Sequence, residues 1–174
     1  MNIVKKLKNN NRGFTLIEIL IVIGLIAILA TVVLVALNPA RQFAQARNSQ
    51  RVSNVNAILN AIGQNIADNK GIFTCSAAGA VIDSTSRVIK YVAVATTGAS
   101  DLRPCIVPTY MAELPYDPGN PTVFGATVPY FASATDYDTE YTVTRTTTAG
   151  RTTVCAPGGA EPAVSGSASI CVTR

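Results

Sequence analysis

Histidine is absent from this 174-residue chain. That absence removes the usual zinc ligand sets and any Cys-His or Ser-His nucleophile pair. Cysteine is scarce: Cys75, Cys105, Cys155 and Cys171 stand without C-x-x-C spacing, which leaves disulfides in an exported domain as the simplest use of an even count. A Gly-rich phosphate cradle and a metal-spaced cluster are also missing, so a membrane-tethered enzyme or ligand-binding module has no visible chemistry to run on. Charged residues make up only 14% of the chain, and the formal charge of +4 is unevenly spread. Lys5, Lys6, Lys8 and Arg12 carry it; without them ten basic residues face ten acidic ones. No basic stripe remains to gather phosphates, and nucleic acid is not an expected partner.

What the chain does have is concentrated at its front. Phe14 to Leu37 runs 24 residues with Glu18 as the only charge. At about 1.5 Å per residue the run covers roughly 36 Å, enough to cross a bilayer. Four cations precede it, and Arg41, Arg47 and Arg51 follow within reach of its other end, so the bias favours the leader inside and the C-terminal region exported. An ordinary secretory signal has a shorter apolar core and a small-x-small cleavage site, whereas here Asn38-Pro39 follows. A plain anchor would not need Glu18, since a carboxylate in a spanning helix costs on the order of 2.5–3.5 kcal/mol and tends to mark a function.

The hexapeptide Gly13-Phe14-Thr15-Leu16-Ile17-Glu18, after a short basic leader and before an unbroken apolar run, closely resembles the processing site of type IV prepilins. The resemblance implies a leader over residues 1–13, cut between Gly13 and Phe14 by a dedicated membrane peptidase that then methylates the Phe14 amine. It implies a fibre built by helix packing, with Phe14, Glu18 and Pro39 as assembly residues: Glu18 would neutralise a neighbouring subunit's amine. The subunit would wait as a single-pass protein of the cytoplasmic membrane and end in a cell-surface filament. Its partners would be other copies of itself, the prepilin peptidase, the assembly platform and minor pilins.

Beyond Pro39, Phe43, Val52, Val55, Ile58, Leu59, Ile62 and Ile66 recur mostly every three or four residues, with Arg47, Asn48, Gln50, Arg51, Asn54 and Asn56 as polar surface. An amphipathic continuation of the helix is expected over residues 38–70, ending at Asn69-Lys70-Gly71. Pro39 predicts a bend or local unwinding near Val35 to Asn38. Residues 71–174 read as a β-rich head, with strands expected at Val88–Ala95, Val128–Ala132, Tyr141–Thr147, Thr152–Cys155 and Ile170–Thr173. Gly158-Gly159, Pro162 and Gly166 mark a turn-rich excursion. The expected fold is therefore α+β, a long N-terminal helix packed on a small antiparallel sheet, as in type IV pilins.

Tyr110 to Pro118 resembles a segment in the heads of major pseudopilins, whose short periplasmic fibre serves a type II secretion system; that is the rival reading. Cys155 and Cys171 resemble instead the disulfide-bounded region of many type IV pilins, which favours a pilus subunit and implies that they pair. Cys75–Cys105 is the second pair expected. No cofactor is required. Asp117, Asp136, Asp138 and Glu140 are hard-oxygen candidates for calcium, but alternating acids before a strand more often form a solvated turn, and the D-x-[DN]-x-[DN]-G pattern is lacking.

Overall fold

The computed structural model describes residues 13–94, 96–119, 130–146 and 150–174. The leader before Gly13 and the ends of three expected strands, at Ala95, Val128 and Thr147, lie outside the described residues. The chain divides into two compact units, residues 1–39 and 40–174.

The first unit contains helix α1, Leu16–Leu37. Asn38 ends it with a left-handed backbone (φ 38°, ψ 79°), and α2, Pro39–Asp68, begins at the proline. The expected single helix is thus interrupted at one residue. Proline withholds the N–H that would bind the Val35 carbonyl and disfavours right-handed helix in the residue before it. Asparagine tolerates the left-handed region, and proline suits a first helical position.

In the second unit, α2 ends in a Schellman arrangement: the Gly71 N–H donates to the Ile66 carbonyl at 2.8 Å. Lys70 (φ 58°) as well as Gly71 (φ 90°) is left-handed. The helix packs on a sheet of β1 (Arg87–Lys90), β2 (Ala99–Ser100), β3 (Tyr130–Ser133), β4 (Asp136–Arg145), β5 (Thr152–Ala156) and β6 (Ile170–Thr173). The strand order is β2-β1-β4-β5-β6, with β3 paired to β4. A four-residue helix α3, Arg103–Ile106, follows β2. The expected antiparallel sheet needs one correction: β2 pairs β1 in parallel, Val88 opposite Ala99. β2 is too short to show any alternation in sequence.

Val55, Ile58, Leu59 and Ile62 of α2 form one core with Ile89, Leu102, Ile106, Tyr141, Val143 and Val154. Two residues of the expected apolar stripe are outside it: Phe43 is 67% and Val52 44% exposed. The buried face runs instead through Ala44, Arg51, Val55, Ile58, Ile62 and Asn65, at steps of three, four and seven. Arg51, expected on the polar surface, is fully buried.

Candidate processing and assembly segment

Gly13, Phe14 and Thr15 precede α1 in non-helical backbone. Thr15 is the N-cap, extended at φ −80°, ψ 150°, and its Oγ1 accepts the Glu18 N–H at 3.3 Å. Thr15-x-x-Glu18 therefore has the sequence of a capping box, a local signal that the sequence analysis did not use. The cap starts the helix beyond the Gly13–Phe14 peptide bond. That bond lies in open surroundings: nothing stands within 4 Å of a Cβ placed on Gly13, and Phe14 is 78% exposed.

Glu18 is the acid of the first turn, where four N–H groups lack helical partners and the helix dipole favours negative charge. The rest of α1 turns apolar side chains outward. Sixteen large ones between Phe14 and Val35 are exposed, and Leu16–Ala36 is long and apolar enough to span a membrane. The one hydroxyl within this span, on Thr31, donates to the Ala27 carbonyl at 2.8 Å, so that hydroxyl needs no water and Glu18 is left as the span's one charged side chain.

The remaining candidates lie in the second unit. Cys75 bonds to Cys105 and Cys155 to Cys171. The second pair faces across β5 and β6 and closes the turn-rich segment that includes the short 3-10 helix Pro157–Gly159. Asp136, Asp138 and Glu140 do not form a solvated turn before a strand; they occupy the first half of β4. The β1–β4 register shifts between Val88 and Lys90, where β4 carries extra residues and Glu140 has φ 60°. Such a bulge accommodates a residue that the ladder leaves out. Asp138 is buried, lies 3.7 Å from Lys90 Nζ and accepts the Glu140 N–H. Asp117 is tied to the same stretch of β4 by its N–H, which donates to the Thr139 carbonyl at 3.0 Å, but its carboxylate is paired with Arg51. Among the described residues no group of three His, Cys, Asp or Glu side chains is placed to hold a metal ion.

The pairing of Asp117 belongs to a buried cluster that the sequence analysis missed. Arg51 grips Asp117 bidentately, Nε to Oδ2 at 2.8 Å and Nη2 to Oδ1 at 2.7 Å. Its Nη1 reaches Glu161 Oε1 at 2.6 Å and Asn48 Oδ1 at 2.8 Å. Arg47 takes Glu161 bidentately at 2.7 Å. Two cations meet two anions, so the charges balance where Asp117 and Glu161 are almost fully buried. Hydrogen bonds from Arg47 hold the Glu161 carboxyl below the usual range against the opposing effect of burial. Gly158 makes room for the cluster, because a Cβ there would fall 2.8 Å from Asp117 Oδ2. Glu161 lies within the Cys155–Cys171 loop, so the cluster fastens that loop to α2. Arg47 and Arg51, one helical turn apart and in line with Val55 and Ile58, were the available signal.

No curated protein and no solved structure matches the chain. Residues 8–34 match the family model described as the prokaryotic N-terminal methylation motif, so the front of this chain carries the prepilin leader of type IV pilins and pseudopilins.

Proposed function

We propose that the chain is the structural subunit of a type IV pilus-like filament, released for assembly by cleavage between Gly13 and Phe14 and methylation of the Phe14 amine. The observation that carries this reading is the leader motif at residues 8–34 running directly into a helix whose apolar side chains are exposed on every face. Leaving such side chains in water forfeits roughly 1.5–3 kcal/mol each. The helix therefore needs lipid first and other copies of itself afterwards. Glu18 is the polar exception, placed one turn from the future amine; within an apolar fibre a carboxylate and an amine from adjacent subunits neutralise each other.

The Cys155–Cys171 loop supports the pilus over the secretion pseudopilus, since its resemblance is to the disulfide-bounded region of pilins. The subunit waits in the cytoplasmic membrane, meets the prepilin peptidase and the assembly platform there, and is displayed at the cell surface with minor pilins. No catalytic role is assigned to it.

Intact mass of the protein from its native host tests the processing step; the expected chain begins with N-methyl-phenylalanine at Phe14. Imaging cells for fibres and identifying their subunit by mass spectrometry tests the rest. A retained leader in cells with a prepilin peptidase, or a secretion defect without surface fibres on deletion, overturns the reading.

A further inference from the structure

The sheet face that packs on α2 ends in a polar row. Val143, Val154 and Val172 stand side by side across β4, β5 and β6. Two residues further along, Arg145 faces Thr152, and Thr152 exchanges both backbone hydrogen bonds with Arg174. Neighbouring strands lie about 4.8 Å apart, so the two arginines flank Thr152 at a backbone separation of about 10 Å.

Between this row and α2 opens a groove of about 240 Å³. Leu59, Ile62 and Ile66 form its aliphatic floor, and Arg145, Thr152 and Arg174 line its other side. Gly63 lines it as well. A glycine inside a helix is destabilising relative to alanine, and nothing lies within 4 Å of a Cβ placed on Gly63, so packing within the head does not call for it. Its effect is to leave the groove open.

The polar side has donors to spare. Arg145 donates to the Gly150 and Gly71 carbonyls, and Arg174 donates to the side-chain oxygens of Asn60 and Asn56. A guanidinium has five N–H donors, so each keeps three after these bonds. Among the described residues no Asp or Glu carboxylate pairs with either arginine; Asp83, whose carbonyl accepts the Arg145 N–H, has its carboxylate on Arg87. Thr152 between them is only 4% exposed, yet its hydroxyl, which is not sealed off, makes no hydrogen bond to any described residue. Lys70, next to Gly71, and Arg151, next to Thr152, are exposed at the same end of the head and add to the positive field around the groove.

An aliphatic floor alone would suit any hydrocarbon, and two cations with unused donors alone would suit any anion; together they suit a molecule that is both. We propose that this groove binds a slender amphiphilic anion, an alkyl chain ending in a carboxylate, with the chain on the floor and the carboxylate between Arg145, Thr152 and Arg174. The carboxylate takes charge-assisted hydrogen bonds from both guanidiniums, and the chain removes apolar surface from water. The site lies wholly within the second unit and does not depend on the filament reading. Its parts come from residues 59–66, 145, 152 and 174, so no local motif marks it in the sequence.

The test uses the full chain in phosphatidylcholine nanodiscs, labelled at the Ile and Leu methyl groups, with octanoate as the probe. The methyl signals of Leu59, Ile62 and Ile66 should shift along a saturating curve. Octanol and acetate, each carrying half of the chemistry, should bind at least about tenfold more weakly, and so should octanoate to the double variant Arg145→Gln, Arg174→Gln. Gly63→Leu, which has room for the new side chain and favours the helix, should abolish the saturable shift while the unfolding temperature stays unchanged or rises. Shifts that grow linearly with octanoate, that octanol reproduces at the same concentration, or that persist unchanged in Gly63→Leu or in the double arginine variant overturn the proposal.

Discussion

Arg51→Ala tests the buried cluster most severely. The substitution removes both hydrogen bonds to Asp117 and the bonds to Glu161 and Asn48. Glu161 keeps Arg47, but Asp117, 3% exposed, loses its cation in a place water hardly reaches. Breaking a buried pair in this way costs about 3–5 kcal/mol, a large share of the roughly 5–15 kcal/mol that holds an ordinary domain folded. Arg47→Ala should cost less, about 1–2 kcal/mol, because Arg47 is 28% exposed and Glu161 retains Arg51. Arg51→Lys should fall between them, since a single ammonium cannot reproduce the planar fork across two carboxylates. Urea unfolding of the full chain in detergent, followed by near-UV circular dichroism of the tyrosines, measures all three. A loss below about 1 kcal/mol for Arg51→Ala, or a larger loss for Arg47→Ala, would refute the reasoning, because burial of the unpaired carboxylate is what separates them.

Three further outcomes are expected. Glu161 and Asp83, the latter held at about 2 chiefly by its hydrogen bond from Arg87, have depressed values, so their stabilisation is present above the unfolded carboxylate range near 4 and drains away as pH falls through the folded values. Urea midpoints should therefore drop between about pH 4 and pH 2, and Glu161→Gln should flatten that slope; an unchanged slope would contradict it. Gly158→Ala, whose new Cβ would lie 2.8 Å from Asp117 Oδ2 and 3.1 Å from Arg51 Nη2, should cost about 1–3 kcal/mol by forcing the pair apart, whereas a neutral result in the same titration would mean that the loop simply shifts. Glu18→Val should leave a processed, membrane-held subunit with a normally folded head and few fibres; fibre counts matched to blots of mature subunit check this, and abundant fibres at equal subunit levels would mean that Glu18 has no part in assembly.

Local chemistry left its mark on the sequence and could be read there. The apolar run of α1 and the interruption before Pro39 depend on neighbours within one or two turns, and alternation or β-branched content marks five strands, Ile170–Thr173 with both its ends and the other four with at least one end shifted. Thr15-x-x-Glu18 was equally local and went unread. The tertiary structure decided what depends on distant residues. Arg51 looks like surface by composition and becomes core only because Asp117 and Glu161, 66 and 110 positions away, arrive with compensating charge. Asp136, Asp138 and Glu140 resembled a turn because alternation of acids says nothing of the strands on either side that draw them into β4. β2 has two residues and exists only through its pairing with β1. In each case the burial of a polar group or a short strand becomes favourable only when its partner is already in place, and a single sequence does not reveal which distant partner that is.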